Sequence, residues 1–124
     1  MNVLLDTHIL IWALENNPAL SENARKVIIN GNNMVFVSAA SIWEISIKQA
    51  MGKLIVPDNL FEEIESHHFT LLNINFEHAQ LAGKLPLIHK DPFDRMLNAQ
   101  TIIEKLSLIS NDHFIAQYDV KLLN

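Results

Sequence analysis

Two hydrophobic rhythms alternate along the chain: short unbroken apolar runs, and longer segments in which apolar residues return every three or four positions. "NVLLD" is a run of the first kind, suited to a buried strand, and from Thr7 to about Leu14 the pattern turns helical. Pro18 breaks that pattern, and "SENARKVIING" opens with Ser21 as an N-cap and closes at Gly31. "MVFV" at 34–37 predicts a second strand from its β-branched and aromatic content, followed by a helix from about Ala39 to Met51 that ends at Gly52. After Pro57, "DNLFEEIESHH" carries Leu60, Phe61 and Ile64 on one helical side. "FTLLNI" predicts a third strand, "NFEHAQLAGKL" a helix stopped by Gly83 and Pro86, and "DPFDRMLNAQTIIEKL" a further helix. "SLIS" and "VKLL" predict the last strands, with a short helix between them. Such alternation predicts an α/β fold with a mostly parallel sheet of about five strands and helices on both faces.

No repeat, low-complexity tract or Pro/Gly-rich linker divides the pattern, so residues 1–124 read as one domain. At 124 residues and 49% hydrophobic content the chain can bury a sizeable core. It has no cysteine, which excludes disulfides, thiolate zinc sites and cysteine nucleophiles and is compatible with a reducing compartment. The apolar start "VLLDTHILIWAL" lacks a basic leader, carries Asp6 and His8, and is too short to span a bilayer. The expectation is a soluble, cytoplasmic protein without a membrane partner. Nine Lys plus Arg against fourteen Asp plus Glu, a formal charge of −5, argue against general adhesion to nucleic acid through a basic surface.

The acids then change the picture. Parallel strands point one way, so residues just past their C-terminal ends share a rim, where open α/β sheets place their ligands. Asp6 closes "VLLD" and Asp112 follows "SLIS" by two residues, which brings both to that rim. Either could equally be the N-cap of the helix that follows. Helix-start chemistry also accounts for "DPFD", with Asp91 as N-cap, Pro92 at the first position and Asp94 one turn in, at the positive end of the helix dipole. Glu44, inside "SAASIWEISIK", is harder to explain structurally, although Lys48 stands one turn on as a helical partner. Burying a glutamate in so apolar a helix is costly unless a cation or several donors satisfy it. Carboxylates crowded into one notch raise each other's pKa, and a divalent cation removes that conflict. Mg²⁺ or Mn²⁺ suits carboxylate and water ligands, and such an ion can activate a water for phosphodiester hydrolysis.

Four stretches, "LLDTHILIW", "SIWEISIK", "HKDPFDRMLNAQ" and "SNDHFIAQYDV", resemble the PIN domains, and within them the VapC toxins of bacterial toxin–antitoxin pairs. They occur in that family's order and cover essentially the whole chain. The resemblance implies a PIN-like α/β/α sandwich and a Mg²⁺- or Mn²⁺-dependent endoribonuclease acting as a toxin. It implies that Asp6, Glu44, Asp94 and Asp112 form the catalytic, metal-binding quartet, with Asp91 left as a helix cap. Thr7 and Ser110 resemble hydroxyl positions that hold waters or orient the carboxylates. A homodimer and a cognate VapB-like antitoxin are implied as partners, besides the RNA substrate.

Lys48, Lys53, Lys90 and Arg95 flank the acidic stretches and are candidates for phosphate contacts, although exposed lysines are commonly just solvated. Among six histidines, His8 and His113 stand nearest the acids and raise the alternative of a zinc phosphoesterase, but no pair has the i, i+4 ligand spacing. Trp12, Trp43 and Phe93 suit base stacking or, more commonly, packing. Asp119 matches no motif and reads as a surface acid. A competing reading makes the chain a non-catalytic protein-binding module whose acids serve only as caps.

Overall fold

The computed structural model describes residues 1–86 and 91–111, together with the backbone of residues 122 and 123. Its centre is β1 (Asn2–Leu5), flanked by β2 (Met34–Ser38) on one side and β4 (Ser107–Ile109) on the other. β3 (Thr70–Leu72) pairs beyond β2 and β5 (Leu122–Leu123) beyond β4, giving the order β3-β2-β1-β4-β5. Each of these pairings is parallel, so the mostly parallel sheet expected from the sequence is parallel throughout the described strands.

Alternate side chains of a strand face opposite sides, and β1 divides its apolar residues accordingly. Val3 and Leu5 join Val35, Val37 and Ile109 in a core completed by Ile9 and Leu10 of α1 (Thr7–Glu15), Ala24 of α2 (Glu22–Ile29), Ile45 of α3 (Ala39–Ala50) and Ile64 of α4 (Leu60–Ser66). Leu4 faces the other way, packing with Leu108 and with Leu97 of α6 (Pro92–Glu104). Leu4, Leu5, Leu97 and Leu108 are all fully buried, and burying each stabilises the fold by about 1.5–3 kcal/mol.

Local chemistry sets the helix ends. Ser21 Oγ accepts the Ala24 amide at the start of α2, as its sequence position predicts. α3 stops where Gly52 takes the left-handed φ of +71°, which an L side chain rarely adopts. α5 (Phe76–Lys84) begins with a reciprocal cap: Asn75 Oδ1 accepts from the His78 amide, and His78 Nδ1 accepts from the Asn75 amide. That second bond leaves Nε2 to donate to Glu104 at 2.7 Å, so this buried imidazole pins α5 to α6.

Some elements are shorter than their sequence patterns. "FTLLNI" contributes only Thr70–Leu72, because β3 is an edge strand with partners only at Phe36, Val37 and Ser38 of β2. The α4 pattern is trimmed to Leu60–Ser66, with His68 at φ +61° where the helix direction is lost. The short helix expected between the last two strands lies outside the described residues. Among the described residues, no helix is long and apolar enough to cross a membrane.

Candidate active site

The order of strands reverses direction between β1 and β4, and the crevice at the C-terminal ends of such a pair is where open α/β sheets bind ligands. Asp6 stands there. Its amide donates to the Ile109 carbonyl at 3.0 Å, extending the β1–β4 ladder by one residue. Its backbone has the N-cap conformation for α1, yet its side chain makes no capping bond. The carboxylate instead accepts Ser110 Oγ at 2.6 Å across a sequence separation of 104. Asp6 is only 5% exposed, and burial pushes its pKa up. The Ser110 hydrogen bond, the positive potential of His8 and the Thr7 amide oppose the shift, while nearby Glu44 adds to it.

Glu44 reaches the same region from α3. Although 7% exposed, it accepts Lys48 Nζ at 2.7 Å. The Lys48 ammonium is held above its usual pKa, first by this hydrogen bond; burial opposes the rise, and the negative potentials of Glu44, Asp91 and Asp94 add to it. Lys48 therefore stands among three carboxylates and neutralises part of their charge. Thr7 and α3 are joined directly: Thr7 Oγ1 donates to Ser41 Oγ at 3.0 Å, and both side chains are buried. Ser41, one turn before Glu44, went unnoticed in the sequence, where only its i, i+3 spacing to Glu44 marks it.

The two aspartates of "DPFD" have different roles. Asp91 Oδ1 accepts the amides of Phe93 and Asp94 at 2.8 and 3.2 Å, the geometry of an N-cap. Asp94, half-buried at the third position of α6, is near enough for its negative potential to help raise the Lys48 pKa.

The expected phosphate contacts fare differently. Lys53 is exposed in the turn after α3, and Lys48 is engaged by Glu44. Arg95 corrects the expectation: it is 9% exposed and donates to the carbonyls of Gly83, Leu85 and Pro86. Its position on α6 faces the end of α5, whose terminal carbonyls lack helical partners, and the guanidinium satisfies them. Asp112, Lys90, His113 and Asp119 lie outside the described residues. His8 is exposed and stands 6.3 Å, ring to ring, from Trp12.

The donors of Asp6, Glu44 and Asp94 are all carboxylate oxygens, the type a hard divalent cation prefers. A buried Asp6 whose ionisation is disfavoured, beside a second acid, fits such a cation chemically. Among the described residues, no three acids or histidines stand close enough to hold an ion together.

The PIN domain family profile matches residues 3–121. A sequence comparison with curated proteins finds no match. Among solved structures, the fold resembles VapBC2 from Rickettsia felis, bound to a DNA fragment from its promoter. The TM-score is 0.73 at 16% identity, covering 100% of this chain and 98% of that one. DNA-bound VapBC from Salmonella typhimurium aligns with a TM-score of 0.71 at 17% identity, over 99% and 97% of the two chains. FitAcB from Neisseria gonorrhoeae gives 0.68 at 18%, over 98% and 96%. With a profile spanning nearly its whole length and a parallel sheet bearing acids at its switch point, the chain belongs to the PIN domain family.

Proposed function

We propose that this chain is a metal-dependent endoribonuclease, the VapC-like toxin of a toxin–antitoxin pair. The observation that carries the reading is Asp6: a buried carboxylate at the β1–β4 switch point, in N-cap conformation but not capping, with Glu44 close enough to disfavour its charge. An acid serving only as a cap would bond the amides further into the first turn of α1, whereas Asp6 turns its carboxylate to Ser110 beyond β4.

In this reading Asp6, Glu44, Asp94 and Asp112 hold Mg²⁺ or Mn²⁺, which when bound supplies an acidified water and offsets charge at the phosphodiester. Ser110 fixes the rotamer of Asp6 through its 2.6 Å bond, and the Thr7–Ser41 bond holds the start of α1 against α3. Asp91 sets where α6 begins and hence where Asp94 stands. Lys48 balances part of the charge of these acids and, on the helix that carries Glu44, would stand beside a bound phosphate. The likeness to VapBC structures supports a VapB-like antitoxin as partner. Exposed Phe61 and Leu71, on a groove of ≈ 520 Å³, provide apolar surface for such a protein or for a second copy of the chain.

The test is RNA cleavage by purified protein with and without divalent ion. Asp6→Asn and Glu44→Gln are expected to lose at least a hundredfold in rate while keeping the far-ultraviolet spectrum of the parent. Cleavage by both variants at the parent's rate would overturn the metal mechanism and favour a binding module.

A further inference from the structure

Trp43 immediately precedes buried Glu44, yet it is 60% exposed. Successive helical residues point about 100° apart, so Glu44 turns inward while Trp43 comes out on the α6 side. There the indole meets Phe93, with ring centroids 5.2 Å apart and planes at 77°. Phe93 in turn immediately precedes Asp94. The aromatic pair therefore spans α3 and α6 along the flank of the acids. In an edge-to-face pair each ring keeps at least one face clear of the other, and the exposure of Trp43 leaves such a face accessible. A concavity of ≈ 250 Å³, lined in part by Trp43, Pro92, Phe93 and Met96, opens beside it.

Building on the nuclease reading, we propose that Trp43, braced by Phe93, is a stacking subsite for an unpaired nucleobase adjoining the scissile phosphodiester. The net charge of −5 and the acids of the site repel an RNA backbone until a cation is bound. Affinity then gains from contacts that do not depend on charge. Base–aromatic stacking is such a contact and tolerates any base, because each has a π-face. It also requires the base to be out of a duplex, which selects single-stranded or looped RNA. A protein helix laid in the larger groove would cover Trp43 as well. The edge-on bracing by Phe93 and the adjacency of both rings to metal-site acids favour the base.

The experiment uses the full chain with Asp6→Asn, so that binding is read without cleavage. A labelled single-stranded RNA oligonucleotide is titrated and compared with the same sequence as a duplex. Trp43→Ala is expected to weaken single-strand binding about tenfold or more, while Trp43→Phe restores most of the affinity. With Trp12→Phe added, Trp43 emission is expected to fall on adding the single strand and to change little with the duplex. Should Trp43→Ala melt early, Trp43→Leu keeps apolar bulk and removes the aromatic face. Unchanged affinity in these variants, or lost self-association with RNA binding intact, overturns the subsite. If the parent chain still cleaves in that case, the nuclease reading survives; if the parent neither binds nor cleaves RNA, both fall.

Discussion

Asp6 carries the proposed chemistry, and its environment makes a prediction independent of activity. Its pKa is raised in the folded chain, chiefly by burial. Protonation thus favours the native state: that stabilisation is fully present below the unfolded value near pH 4 and is lost as pH rises through the folded value. In divalent-free buffer, Asp6→Asn is expected to melt a few degrees above the parent at neutral pH. About 1 kcal/mol moves the midpoint of a domain this size by roughly 4 °C. The gap should close as pH falls toward 4, and thermal melts across that range read it directly. A parent that melts above the variant at pH 7 would show that the acid is satisfied without a cation.

At the scale of elements, the start of α6 separates support from chemistry. Asp91 accepts two amides there, and losing an N-cap costs about 1 kcal/mol. Asp91→Ala is expected to lose about that much stability in urea unfolding while retaining most cleavage. Asp94→Asn, which leaves the cap in place, should lose cleavage with stability nearly unchanged. Equal loss of activity in both variants would mean that Asp91 belongs to the chemistry as well. The helix start itself was legible, since Asp91 and Pro92 form a local signal read within a few residues. Arg95, three residues on, was not: its partners are the carbonyls of Gly83, Leu85 and Pro86, and no local spacing announces which helix end an arginine will meet. The short β3 has the same origin, because how much of an apolar run pairs depends on the neighbouring strand.

For the whole molecule, the alternation of runs and periodic segments sufficed to predict a parallel sheet, and chain direction alone then brought Asp6 toward the end of β4. What the alternation does not encode is the strand order, which makes β1 central, or the way Lys48 stands among the acids. That internal balance bears on ligand-linked stability. An ion that binds only the folded chain adds about 2.7 kcal/mol at a hundred times its dissociation constant. Adding Mg²⁺ or Mn²⁺ is therefore expected to raise the melting temperature of the parent and to leave Asp6→Asn and Glu44→Gln nearly unmoved, as calorimetry would record. A rise of equal size in all three would place the ion elsewhere.

The bond from Ser110 to Asp6 closes a loop of 104 residues. Contacts so distant in sequence form late, after the entropy of closing that loop has been met. A chain truncated before residue 107 keeps β2 beside β1 but lacks β4 and Ser110, so the Asp6 side of the crevice stays open. On the nuclease reading, a chain truncated there is expected to cut no RNA, because its Asp6 has lost the hydroxyl that holds it.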